Sequence, residues 1–183
     1  MNRIPALDPA SFSEEQKTLV GEWTYLEFSR VLINSPRMYG TFVPWLKELI
    51  AETALSPRDR QIVCLRMLEL CGDVYEKTHH VVISRKCGLS EPEITAFISG
   101  EGDALTDEDR DVLAACGELY RDQRIDDGTW QRLSQRYSQE QLMELVFLAG
   151  CYQTMAMLTK SFDIKLEPDL ESFNELRDYA EEV

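Results

Sequence analysis

The chain has 183 residues, 44% of them apolar, and a formal charge of −14 at pH 7. That length suits one domain with a sizeable core, and that apolar share is too high for disorder. The charge argues against nucleic acid, whose phosphates need clustered Lys and Arg, and no apolar run approaches the roughly 20 residues of a membrane span.

The opening Met-Asn-Arg-Ile-Pro leads into Ala, Asp, Ser and Glu rather than an apolar core, unlike a signal peptide. The expectation is a soluble, cytoplasmic protein. Cys64, Cys71, Cys87, Cys116 and Cys151 are odd in number and contain no C-x-x-C pair. Free thiols in a reducing compartment are therefore favoured over a disulfide framework. With no adjacent cysteine pair and two histidines, the sequence offers no zinc ribbon or finger.

The pattern is helical almost throughout, with no β-branched alternation long enough for a strand. Ser11 or Ser13 caps a first helix with Leu19, Trp23 and Leu26 on one face and Phe28 on the other. Ser35-Pro36 opens a second, carrying Met38, Phe42, Trp45, Leu46 and Leu49 at helical spacing. Ser56-Pro57-Arg58-Asp59 is a strong start signal: a cap, proline in the first turn, then acid. That third helix runs through Ile62, Val63, Leu65, Arg66 and Leu68 to about Cys71-Gly72.

A fourth helix spans about Asp73 to Lys86, and Gly88 stops it. Ser90-Glu91-Pro92-Glu93 starts a short helix ending at Gly100, and Thr106-x-x-Asp109 is a capping box for the next. Asp126-Asp127-Gly128 reads as a turn before a short helix from Trp130 to Tyr137. Ser138-x-x-Gln141 opens a long helix of Leu142, Leu145, Leu148, Tyr152, Met155 and Leu158. The expected organisation is a peripheral N-terminal helical arm (1–35), a helical domain (36–166) and an acidic C-terminal tail (167–183). That tail holds seven carboxylates against Arg177 and is expected to pack on a neighbour or fray.

Both histidines fall in Tyr75-Glu76-Lys77-Thr78-His79-His80. Glu76 and His80 are i,i+4 partners, and Asp73 joins them within about 60° on a helix. This points to an acid–base site with His80 as proton carrier and Glu76 as partner or second acid. A buried carboxylate there would raise the histidine's pKa. The bland alternative is a solvated pair worth a few tenths of a kcal/mol. His79 points about 100° away and is expected to touch another helix or a neighbouring subunit.

Tyr75 can hydrogen-bond a substrate carbonyl, or serve as an interface tyrosine. Gln61 can orient a ligand or water, or be a surface position. Cys71 is either a reactive thiol or a small buried hydrophobe. Arg58, Arg60, Arg66 and Arg85 are near enough in sequence to offset the acidic charge for an anionic ligand. Glu76-x-x-His79 has the spacing of di-iron bundles, but a third histidine is missing, so no metal is expected. No glycine-rich phosphate loop gives a nucleotide cofactor a seat.

Three segments, in this order, resemble the carboxymuconolactone decarboxylase family, which shares its fold with alkyl hydroperoxidase D. Leu55-Ser56-Pro57-Arg58-Asp59-Arg60-Gln61 through Leu65-Arg66 is similar to its L-S-P-R-x-R-E-x-x-x-L-R helix. Tyr75 through His80 resembles Y-E-W-x-x-H, with His80 as the motif histidine. Asp126 through Trp130, Glu144-Leu145 and Tyr152 resemble its C-terminal half, and the likeness covers roughly residues 20 to 166.

The resemblance implies an all-α, single-domain, alkyl hydroperoxidase D-like helical bundle. It implies a homo-oligomer, a trimer or a multiple of one, with sites near subunit contacts. It also implies a cofactor-free lyase or isomerase acting by proton transfer on a small organic acid, lactone or related carbonyl compound. His80 and Glu76 are then the catalytic pair, and Tyr75, Asp73, Gln61, Arg85 and Cys71 bind substrate.

Two departures bear on this. Glu76 and Asp73 occupy the two cysteine positions of the hydroperoxidase C-x-x-C-x-x-x-H motif, so that dithiol reaction is not expected. Gln61 replaces a frequent Glu, and Lys77 the usual Trp. The alternatives are a non-catalytic oligomeric binding or scaffold protein and, less favoured, a thiol peroxidase working through Cys71 or Cys87.

Overall fold

The caps spaced along the sequence set the order of the helices. A computed structural model describes residues 2–167. Among these are nine α-helices and two short 3-10 turns: α1 (Glu14–Val20), α2 (Glu27–Leu32), α3 (Pro36–Ala51), α4 (Pro57–Cys71), α5 (Val74–Lys86), α6 (Glu91–Ser99), α7 (Asp107–Asp122), α8 (Asp127–Ser134) and α9 (Gln139–Phe162). No strand occurs among the described residues. The expected tail lies outside them, apart from Glu167.

Ser13, Ser56, Asp73, Thr106, Asp126 and Ser138 each accept a first-turn amide, satisfying donors that have no intrahelical acceptor. Gly72 closes α4 at φ 65°, a left-handed conformation that glycine adopts without a Cβ clash. Asp126 accepts from Thr129 N at 2.7 Å, so α8 starts at Asp127 rather than Trp130 and ends before Tyr137.

The first expected helix is broken in two. Gly21 takes φ 56°, a 3-10 turn spans Gly21–Tyr25, and Leu26 is extended before α2 begins. Leu19, Trp23 and Leu26 therefore do not share one helical face. In α3 the inward stripe is Tyr39, Val43, Leu46, Leu49 and Ile50, whereas Met38 and Trp45 are 51% and 37% exposed.

α4 is the hub, packing on α5, α6, α7 and α9. Its residues from Arg60 to Leu65, with Met67 and Leu68, are all buried. Arg60 is tolerated there in part because its Nη1 donates to the Ile50 carbonyl at 2.6 Å. α9 has the length and composition of a membrane span, yet Leu145, Leu148, Cys151 and Tyr152 bury it in the bundle.

The arm is not peripheral. Phe12 and Val20 form a second apolar cluster with Ile33, Tyr39 and Val43, and the Tyr39 hydroxyl donates to Ser29 Oγ at 3.0 Å. Phe28 and Val31 of α2 join the main core directly. These contacts hold Gly21–Tyr25 and α2 over the face where α3, α5 and α9 meet.

Candidate active site

A pocket opens under that arm, with an empty volume of about 580 Å³, part of it open to solvent. Trp23, Tyr25, Leu26 and Phe28 roof it, Leu46 and Ile50 come from α3, and Tyr152 and Met155 from α9. α5 supplies Tyr75, Glu76, His79, His80 and Ile83. The α5 register follows from Asp73. Its Oδ1 accepts Glu76 N–H at 3.2 Å, and its Oδ2 accepts the Thr159 hydroxyl at 2.8 Å, tying α5 to α9. Asp73 is thus a buried helix cap, not a pocket residue.

His80 is held on both ring nitrogens. Nδ1 lies 2.9 Å from Gln61 Oε1 on α4, and Nε2 lies 2.7 Å from the Tyr152 hydroxyl. Gln61 Oε1 also accepts from Ser84 at 3.1 Å, so it is the shared acceptor. Nδ1 then carries the proton, and Nε2 accepts from Tyr152. The carboxylate expected beside His80 is replaced by an amide and a phenol. Its pKa is therefore not raised. Burial first, then the charges of His79 and Arg60, push it down to about 3.

Glu76 behaves in the opposite way. Its buried carboxyl has no hydrogen-bond partner among the described residues, and burial pushes its pKa up to about 8, with Asp73 and Glu167 adding to the effect and His79 opposing it. It is mainly protonated at pH 7.

His79 is not turned away from the site. It lines the same pocket, because its ring folds back on Tyr75 at 4.5 Å between centroids. Nδ1–H donates to the Tyr75 carbonyl at 2.9 Å, and Nε2 faces Glu167 Oε2 at 3.2 Å. Burial disfavours its charge, but Glu167, Glu76 and the Tyr75 carbonyl outweigh that and raise the pKa. For Glu167, burial is likewise outweighed, by His79, Tyr75 and the Glu27 amide, and its pKa is lowered. Both shifts favour the charged forms, and Nε2 and Oε2 face each other at 3.2 Å without completing a hydrogen bond.

Tyr75 is engaged at its hydroxyl, which accepts from Phe28 N at 3.1 Å and donates to Glu167 Oε1 at 2.7 Å. Gln61 is buried behind His80, away from both the surface and the pocket lining. Arg85 is directed outward to Glu91 at 2.6 Å, outside the pocket. Cys71 lies in a separate shallow depression with Tyr120, Met157 and Lys160. Burial raises the pKa values of Cys71 and Cys87, which disfavours the thiolate that peroxide chemistry needs.

None of the four arginines reaches the pocket lining. Arg58 pairs with Asp109 and Glu93, Arg60 and Arg66 bond the carbonyls of Ile50 and Ile98, and Arg85 is on Glu91. Among the described residues no cluster of three His, Cys, Asp or Glu is placed to hold a metal.

Sequence reasoning missed Glu167, the Trp23–Phe28 roof and the role of Tyr152. Tyr152 carried a signal, since it belonged to the third motif. Glu167 carried none, being one acid among seven in the tail.

Residues 36–116 match the Carboxymuconolactone decarboxylase family. No curated protein matches the sequence. Solved structures share the fold at low identity. One is the debrominase Bmp8 in complex with 2,3,4-tribromopyrrole, at 14% identity over 97% of this chain and 96% of that one, with a TM-score of 0.78. Another is an alkylhydroperoxidase AhpD core, an uncharacterized peroxidase-related protein from Ralstonia eutropha JMP134, at 10% identity over 96% of each chain and a TM-score of 0.76. A third, a protein of unknown function from Agrobacterium tumefaciens, is 20% identical over 73% of this chain and 93% of that one, with a TM-score of 0.68. Residues 36–116 thus carry the likeness to the carboxymuconolactone decarboxylase family, and the all-helical fold is AhpD-like.

Proposed function

We propose that this protein is a cofactor-independent acid–base enzyme, a lyase or isomerase, acting on a small uncharged carbonyl compound such as a lactone. The observation that carries this is Glu76: a carboxyl held protonated in an apolar pocket, with a pKa of about 8 and no internal hydrogen-bond partner among the described residues. A carboxylic acid in that state can hydrogen-bond a substrate oxygen and transfer its proton near neutral pH. Giving the proton to the carbonyl oxygen leaves a carboxylate that takes one from the α-carbon to form the dienol. Returning that proton to the γ-carbon, while the O–H proton goes back to Glu76, completes an isomerisation. One side chain then gives a proton and recovers it.

Charge argues for a neutral substrate. No Arg or Lys lines the pocket, and the one imidazolium there is already matched by Glu167. A substrate carboxylate would lose water without gaining a cation. His80 is neutral and covered by Tyr152, so its role becomes positioning, and Glu76 takes over as the proton carrier.

A second reading, binding without turnover, draws on the Gln61–His80–Tyr152 chain, which is satisfied internally. Turnover of a panel of γ-lactones and β,γ-unsaturated ketones separates the two. Glu76→Gln should lower kcat by about 10²-fold or more, the usual worth of general acid–base catalysis. The parent's activity should fall above pH 8. A Glu76→Gln enzyme as fast as the parent would sink the assignment.

We also infer a homo-oligomer in a reducing, cytoplasmic setting. Exposed Met143, Val146, Phe147 and Met157 along α9 support self-association, and five free thiols support the compartment. Light scattering tests the first. A monomer at micromolar concentration would refute it.

A further inference from the structure

Glu167 follows α9 by a few residues, yet its carboxyl is buried in the middle of the site. Each of its contacts reaches a different part of the pocket wall. Oε1 accepts the Glu27 amide at 2.6 Å and the Tyr75 hydroxyl at 2.7 Å, while Oε2 faces His79 Nε2 at 3.2 Å. The Glu27 and Phe28 amides open α2, where no helical carbonyl is available to them. Glu167 satisfies the first directly, and Tyr75, which donates to Glu167, satisfies the second. The roof residues Trp23 to Phe28 are thus joined to α5 through one carboxylate from the far end of the chain.

Asn2 and Arg30 hold the Glu27 side chain from the outer side, while the Leu26 and Phe28 side chains line the pocket. Without Glu167, the Glu27 amide loses its acceptor, Tyr75 loses the acceptor of its O–H, and His79 faces no anion. All three losses fall where the roof meets α5.

We propose that Glu167 is a positioning residue of the pocket, a latch by which the segment after α9 fastens the α2 roof to His79 and Tyr75 and limits ligand entry. The latch rests on the pocket described above but not on Glu76 being its acid, so its test reads the roof and His79 rather than turnover.

The test compares amide hydrogen exchange and imidazole titration, followed by NMR, in the full-length parent, Glu167→Ala and Glu167→Gln. Glutamine keeps the acceptor oxygen and removes the charge. In Glu167→Ala, exchange at Glu27 and Phe28 should quicken about tenfold or more, as expected for a lost buried hydrogen bond, while amides inside α5 keep the parent rate. Glu167→Gln should hold the Glu27 and Phe28 rates near the parent's, yet His79 should titrate at lower pH. Unchanged exchange in Glu167→Ala, or an unmoved His79 titration in Glu167→Gln, would overturn the latch. Should the alanine variant fail to fold, the glutamine variant alone decides, through His79.

Discussion

Tyr152 and His80, 72 residues apart in the chain, meet through a 2.7 Å hydrogen bond with their rings nearly perpendicular at 87°. The contact joins α9 to α5 and continues through His80 Nδ1 to Gln61 on α4. Three helices thus share one buried polar chain.

Tyr152→Phe removes the donor and leaves His80 Nε2 buried without one. The expected cost is about 1–3 kcal/mol, the penalty for an unsatisfied buried acceptor. Urea unfolding measures it. A double-mutant cycle with His80→Phe should show the two changes to be non-additive, as for residues in direct contact. Additive effects would mean that the bond contributes nothing as a pair.

Gln61→Glu places a carboxylate 2.9 Å from His80 Nδ1. An anion at that distance favours the imidazolium, so the His80 pKa should rise from about 3. NMR titration of the ring reads this directly. A His80 that stays neutral down to the same pH would show that burial outweighs the new charge.

Glu76 makes stability depend on pH in a direction unusual for a carboxylate. Its folded pKa of about 8 lies above the ordinary 4.5, so between those values the native state holds a proton that the unfolded chain releases. Stability is therefore lost as pH rises through that window, by up to about 1.4 kcal/mol per pH unit. Glu76→Gln removes this slope. The variant should match the parent near pH 4.5 and exceed it in urea midpoint at pH 8. Parallel pH profiles would contradict the buried, protonated carboxyl.

Arg85→Ala and Cys71→Ser should change neither turnover nor ligand binding, because both positions lie outside the pocket. The Arg85–Glu91 pair is exposed to solvent, and removing it should leave stability nearly unchanged. A large kinetic effect from either variant would place the working site elsewhere.

The helices were legible because their signals are local. Caps such as Ser56, Thr106 and Ser138 name their own start points, and α4 through α9 follow them closely. The first helix was misread because nothing local distinguishes a Gly that continues a helix from Gly21, which breaks one. In the site, spacing correctly put Glu76 and His80 on one face of α5, both lining the pocket. It could not foresee that the neighbour of His80 would be Gln61 or that His79 would share the pocket. Those facts come from α4 and from Glu167, contacts made across long separations, which helical periodicity does not encode.

The guanidinium of Arg60, walled into α4 behind the cavity, has one more effect. Its charge is felt at His80, where it adds to burial in keeping that ring neutral. The bundle's interior, and not only its pocket lining, thus helps to set the charge state of a ring in the cavity wall.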